Sequence, residues 1–119
     1  MQAQDLFDTI VEHLLAMPAR SGGRLATGQF ECRYLGPDGA RCAIGVLIHD
    51  DEYRQDMEGN DVVQLDRDGV LPSRLAAHLD MLRAMQRIHD KDTAWRNGKV
   101  GMRRMLDRAA RKHGLVFTQ

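Results

Sequence analysis

Phe30-Glu31-Cys32-Arg33-Tyr34-Leu35, Gly36-Pro37-Asp38-Gly39 and Ala40-Arg41-Cys42-Ala43-Ile44-Gly45-Val46-Leu47-Ile48 form one continuous stretch in which a turn separates two apolar runs. The first run alternates apolar and charged residues over most of its length, the period-two pattern of a strand. In Gly36–Gly39, proline presets the first central position of a turn, aspartate suits the second, and glycine takes the positive φ that follows. That is a type I turn with a glycine bulge, closing a three-residue hairpin loop. The register then sets Gly36 opposite Ala40, Tyr34 opposite Cys42, Cys32 opposite Ile44 and Phe30 opposite Val46. A helix starting near Cys42 is the competing reading of the second run.

Outward from this stretch the pattern turns helical. Leu6, Phe7, Ile10, Val11, Leu14 and Met17 recur at three-to-four spacing, which predicts a helix over 4–17 that Pro18 ends. Arg20-Ser21-Gly22-Gly23 reads as a loop. The acidic segment 50–69 holds turns at Gly59-Asn60 and Asp68-Gly69 around a short element, Val62 to Leu65. Leu71-Pro72-Ser73 leads into a second long helix carrying Leu75, Leu79, Leu82, Met85 and Ile88. Asp90-Lys91-Asp92 and Asn97-Gly98 interrupt the pattern. A last helix runs from about Lys99 to His113 with Met102, Met105, Leu106 and Ala109 inward, and Gly114-Leu115 fits a Schellman stop. The expectation is a single α+β domain over 1–119, with three helices and one β-hairpin.

The chain has 119 residues, the size of one ordinary domain. Hydrophobic residues at 43% and charged residues at 29% suit a globular protein and exclude a disordered or fibrous chain. No basic segment with an apolar core opens the sequence, and the longest apolar run, Ala43 to Ile48, is too short to cross a bilayer. Two cysteines and seven methionines suit a reducing interior, so the expected compartment is the cytoplasm, which for a virus-encoded chain means the host cytoplasm.

Lys plus Arg equals Asp plus Glu at 17 each, but the charge is uneven. Residues 31–68 hold ten acids against four bases, and residues 87–119 hold nine bases against three acids. Two candidate partner surfaces follow. One is an acidic face of Asp50, Asp51, Glu52 and Glu58, suited to a basic partner. The other is a basic stripe of Arg104, Arg108, Arg111 and Lys112 on the last helix, suited to nucleic-acid phosphates.

Signals for chemistry are weak. Gly23 to Gly28 has the glycine spacing of a phosphate loop, but Gln29-Phe30 replaces the lysine and hydroxyl residue that bind phosphate and magnesium. Cys32, Cys42 and His49 are separated by nine and six intervening residues in turn, without the tight pair that structural zinc needs. The cysteines read instead as buried core residues. His78, His89, Asp90 and Asp107 could be assembled as a metal-dependent phosphohydrolase site, a secondary reading. Ser21 and Ser73 stand in no nucleophile elbow. No catalytic residue, metal or cofactor is therefore expected.

Cys32-Arg33-Tyr34-Leu35-Gly36-Pro37-Asp38-Gly39-Ala40-Arg41-Cys42-Ala43-Ile44-Gly45 resembles a group of small bacteriophage and prophage proteins that share a C-x-Y-x-G-P-[DN]-G-x-[KR]-C-A-[IV]-G core. Asp51-Glu52-Tyr53, Met57-Glu58-Gly59, Gln86-Arg87-Ile88-His89-Asp90, Trp95 and His113-Gly114-Leu115 extend the resemblance over about residues 30–115. Val46 stands where many members carry a third cysteine. The resemblance implies a non-enzymatic accessory protein that binds a host protein or ribonucleoprotein complex, of the kind that inhibits host defence, such as an anti-CRISPR protein. It transfers no catalytic residue.

Overall fold

The computed structural model describes residues 2–18, 22–24, 30–36 and 39–119, with the backbone alone at 22–24, 30–32 and 92. Helix α1, Ala3–Ala16, starts where the Asp5 carboxylate accepts a hydrogen bond from the Gln2 N–H, 3.1 Å. It buries Leu6, Phe7, Ile10, Val11 and Leu14 along one face, as their spacing requires. Met17 turns to extended backbone ahead of Pro18, and its carbonyl accepts from Lys99 Nζ at 2.6 Å.

The turn forms in the expected register and the hairpin does not. The Gly36 N–H donates to the Ala40 carbonyl at 2.7 Å, Leu35 and Arg41 form a bridge, and Gly39 has φ +84°. Pro37 and Asp38 lie outside the described residues. Beyond Arg41 the chain leaves the strand direction. Val46 N–H bonds Cys42 O, Leu47 N–H bonds Ile44 O, and residues 45–47 make one turn of 3₁₀ helix. Strand β2, Phe30–Cys32, pairs instead with β1, Gly22–Arg24, so that Cys32 stands opposite Gly22 and not Ile44. Among the described residues this three-residue ladder is too small to form a layer, and the α+β expectation gives way to a helical fold.

The apolar spacing explains the difference. Ala43, Ile44, Leu47 and Ile48 are all buried, positions that share one face of a helical turn but alternate faces in a strand. Gly45 secures the curl, because a Cβ built there would lie 2.0 Å from the Tyr34 carbonyl oxygen. Arg41 caps it from below, donating through Nη1 to the carbonyls of Gly45 and Ile48 at 3.1 Å each.

Helix α2, Val62–Arg67, is capped by Asp61, whose carboxylate accepts from the Gln64 N–H at 2.8 Å. The long helix expected after Pro72 is broken in two. Helix α3, Ser73–Ala76, ends in a turn at Ala77-His78, and α4 runs Leu79–Asp90. Helix α5, Asp92–Arg96, meets α6, Gly98–Lys112, at Gly98 with φ +67°. The Schellman stop forms: Gly114 has φ +68° and the Leu115 N–H bonds Ala110 O at 2.8 Å.

Helices α1, α4 and α6 contact one another pairwise and enclose Phe7, Ile10, Leu14, Leu82, Met85, Met102 and Leu106, each fully buried. Each such side chain contributes roughly 1.5–3 kcal/mol by leaving water. Ile44, Met57, Leu65 and Leu75 extend this core beneath the irregular segment 33–61.

Gly45→Ala and Gly39→Ala separate steric from conformational cost. At Gly39 nothing lies within 4 Å of an added Cβ, so only the positive φ is penalised, at about 1 kcal/mol. At Gly45 the added carbon meets backbone and should cost about 2 kcal/mol or more. Urea denaturation of both variants tests this, and equal losses would contradict the close approach.

Candidate functional site

Two acids of the acidic segment, Glu52 and Glu58, are turned to internal donors. Glu58 is half-buried, and its carboxylate accepts from the Tyr34 N–H at 2.8 Å, the Leu35 N–H at 3.1 Å and the Tyr53 hydroxyl at 2.6 Å. A carboxylate has only acceptor sites, so one side chain can satisfy three donors that no ladder reaches. Glu52 accepts from the His49 N–H at 2.9 Å and pairs with Arg74 at 2.6 Å. Burial alone would raise the Glu52 pKa, but the His49 N–H and the Arg74 guanidinium outweigh it and hold the carboxyl below its ordinary value. Asp50 pairs with Arg41 at 2.5 Å, although its side chain is 92% exposed, and Asp51 is exposed. The four residues of the expected acidic face therefore differ in kind. Asp50 and Asp51 face solvent, while Glu52 and Glu58 hold the loop together.

A polar chain continues inward from Glu58. The buried Tyr34 hydroxyl donates to the Asn60 carbonyl at 2.6 Å and accepts from Gln86 Nε2 at 3.0 Å. Gln86 Oε1 accepts from the Val62 N–H at 2.8 Å, joining α4 to the start of α2. Burial lifts the Tyr34 phenol well above its ordinary pKa, and burial together with the Glu58 carboxylate lifts Tyr53 to about 12. The spacing of Gln86 one turn after Leu82, within the apolar stripe, is the sequence signal for this network.

The basic residues of α6 behave differently. Arg103, Arg104, Arg108, Arg111 and Lys112 are all exposed, opposite the buried Met102, Leu106, Ala109 and Ala110. Arg111 lies 3.3 Å from Asp107, one turn earlier, and the other four make no ion pair among the described residues. Val100, 62% exposed, stands on the same side of the helix.

No group of three or more His, Cys, Asp or Glu among the described residues is placed to hold a metal ion. His89 is fully buried, with Nδ1 3.0 Å from Asp90 and its ring edge-on to Trp95, whose indole N–H donates to the His89 carbonyl at 2.7 Å. His78 sits at the far end of α4, so the four residues considered for a hydrolase form no such group. Cys42 is buried, and burial pushes its thiol up to about 12, the state of a core residue rather than a nucleophile. Of the phosphate-loop spacing, Gly23 lies in β1 opposite Glu31, while Gly28 and the side chain of Cys32 lie outside what is described. Open clefts of about 480 Å³ beside Arg67 and Arg83, and of about 310 Å³ between His78 and His113, bring together no nucleophile and base. No helix among the described residues is long and apolar enough to cross a membrane. The chain matches no protein-family model, no curated protein and no solved structure in these comparisons.

Tyr34 and Tyr53 are the two tyrosines, so tyrosinate absorbance reports on this network alone. Both folded phenols have pKa values above the ordinary 10.0. Their contribution to stability is complete below pH 10 and is lost as pH rises through about 12, because only the unfolded chain ionises readily there. Titration should show tyrosinate appearing together with unfolding. Glu58→Gln places an amide donor against an N–H and should cost about 1–3 kcal/mol. It should also let Tyr53 ionise at lower pH, and an unchanged Tyr53 titration would contradict the carboxylate's role.

Proposed function

We propose that the protein is a non-enzymatic binding module that engages a nucleic-acid-containing partner through the basic face of α6. The observation that carries this reading is the contrast between the two charged segments. Glu52 and Glu58 are committed to internal donors, whereas Arg103, Arg104, Arg108 and Lys112 project into solvent with no acid paired to them among the described residues. Displacing counterions from phosphates rewards such a face directly. A host ribonucleoprotein complex is a partner of this chemistry. An accessory protein of phage type, acting on a defence complex as an anti-CRISPR protein does, is the setting we infer from the phage-like core.

Affinity for mixed-sequence nucleic acid should fall steeply between low and physiological salt. Arg104→Glu with Arg108→Glu should weaken binding by about tenfold or more and flatten the salt dependence. Asp50→Lys with Asp51→Lys should leave it the same or tighter. Absence of binding at low salt to any nucleic acid would sink the reading.

A further inference from the structure

We infer that the partner of α6 is B-form duplex DNA, with the helix lying in the major groove; this rests on the reading proposed above. The width of the basic face, rather than its charge alone, leads there. At about 100° per residue, Arg103 and Lys112 lie roughly 180° apart around α6, with Arg104, Arg108 and Arg111 between them. The same residues extend about 13 Å along the axis, from a rise of about 1.5 Å each. The buried face of Met102, Leu106, Ala109 and Ala110 occupies the opposite half of the cylinder.

A single phosphate chain would need one row of cations. A half-cylinder with a cation at each edge meets two phosphate walls at once, and the major groove supplies two walls about 12 Å apart, the width of one helix with its side chains. Between the edges, the helix presents Val100, Arg104, Asp107 and Arg111. An apolar side chain can contact a thymine methyl, an arginine can take guanine O6 and N7, and a carboxylate can accept from cytosine N4. Asp107 lies about 40° inside the Arg103 edge, and its carboxylate is 3.3 Å from Arg111, near the centre of the face, so its charge is partly offset there and can orient that guanidinium. Trp95 adds no stacking platform to this face, since its indole N–H is bound to the His89 carbonyl and its ring stands edge-on to His89. The deep, narrow major groove of A-form RNA does not admit a helix.

Fluorescence anisotropy with the full chain separates these possibilities, using one sequence as a DNA duplex, an RNA duplex and single-stranded DNA, with heparin as a plain polyanion. The DNA duplex should bind about tenfold or more tighter than the RNA duplex or the single strand. Arg103→Glu and Lys112→Glu, one at each edge, should each weaken duplex binding while circular dichroism shows helix content unchanged. RNA duplex, single strand or heparin bound as tightly as the DNA duplex would overturn the groove assignment and leave the binding module standing. Loss at one edge only would also overturn it, in favour of a single phosphate chain. No binding to any of the four would overturn both the groove assignment and the function proposed above.

Discussion

The irregular half of this protein hangs on one carboxylate. Glu58 receives two consecutive backbone N–H groups, from Tyr34 and Leu35, and the Tyr53 hydroxyl as well. A chain that leaves the strand direction at Arg41 forfeits the next ladder bond, which would have taken the Tyr34 N–H, while the Leu35 N–H points away from that ladder; a buried N–H without an acceptor is costly. With Glu58 in place, Tyr34 can be buried with its hydroxyl bonded to Asn60 and Gln86, and Gln86 can bond the first turn of α2. One acidic side chain thus connects the turn, the 53–60 loop and two helices. The Gly45 backbone, pressed against the Tyr34 carbonyl, closes the same region from the other side.

The two charged segments, close to equal and opposite in the sequence, have opposite uses in the fold. Around residues 41–58 several ions are structural: Arg41 caps the carbonyls of its own loop, and Arg74 joins Leu47 O to Glu52. On α6 the cations stand on the half of the helix that the core does not need. Net charge alone cannot distinguish these cases. The partners of each ion can: on α6 only Arg111 of these cations has an acid beside it among the described residues.

What was legible in the sequence was local. The apolar spacing of α1 and α6, the glycine turn at Gly39 and the stop at Gly114 depend on residues a few positions apart, and each forms as its chemistry dictates. The second arm of the hairpin did not form because turn chemistry fixes only the first pair or two beyond the loop. Past Arg41, burial of Ala43, Ile44, Leu47 and Ile48 on one side outweighed further strand pairing. The break at Ala77-His78 carries no proline or glycine to announce it. Of the acidic face, exposure of Asp50 and Asp51 was readable, but the inward use of Glu58 depends on Tyr34, 24 residues away. The basic stripe was fully readable, since an exposed helix face is defined by its own period.

The side-chain amide of Gln4 donates to the Val116 carbonyl and accepts from the Val116 N–H, both at 2.9 Å, in the manner of a strand partner. These two residues are 112 positions apart in the chain and adjacent in space. The segment from Gln4 to Val116 is therefore nearly a closed ring, and a short linker joining these two positions would add little loop-closure entropy. Circular permutation of that segment becomes accessible, with new ends cut in the exposed turn at Gly69, away from the Glu58 network, and the order in which the helices are synthesised changes without changing which of them touch.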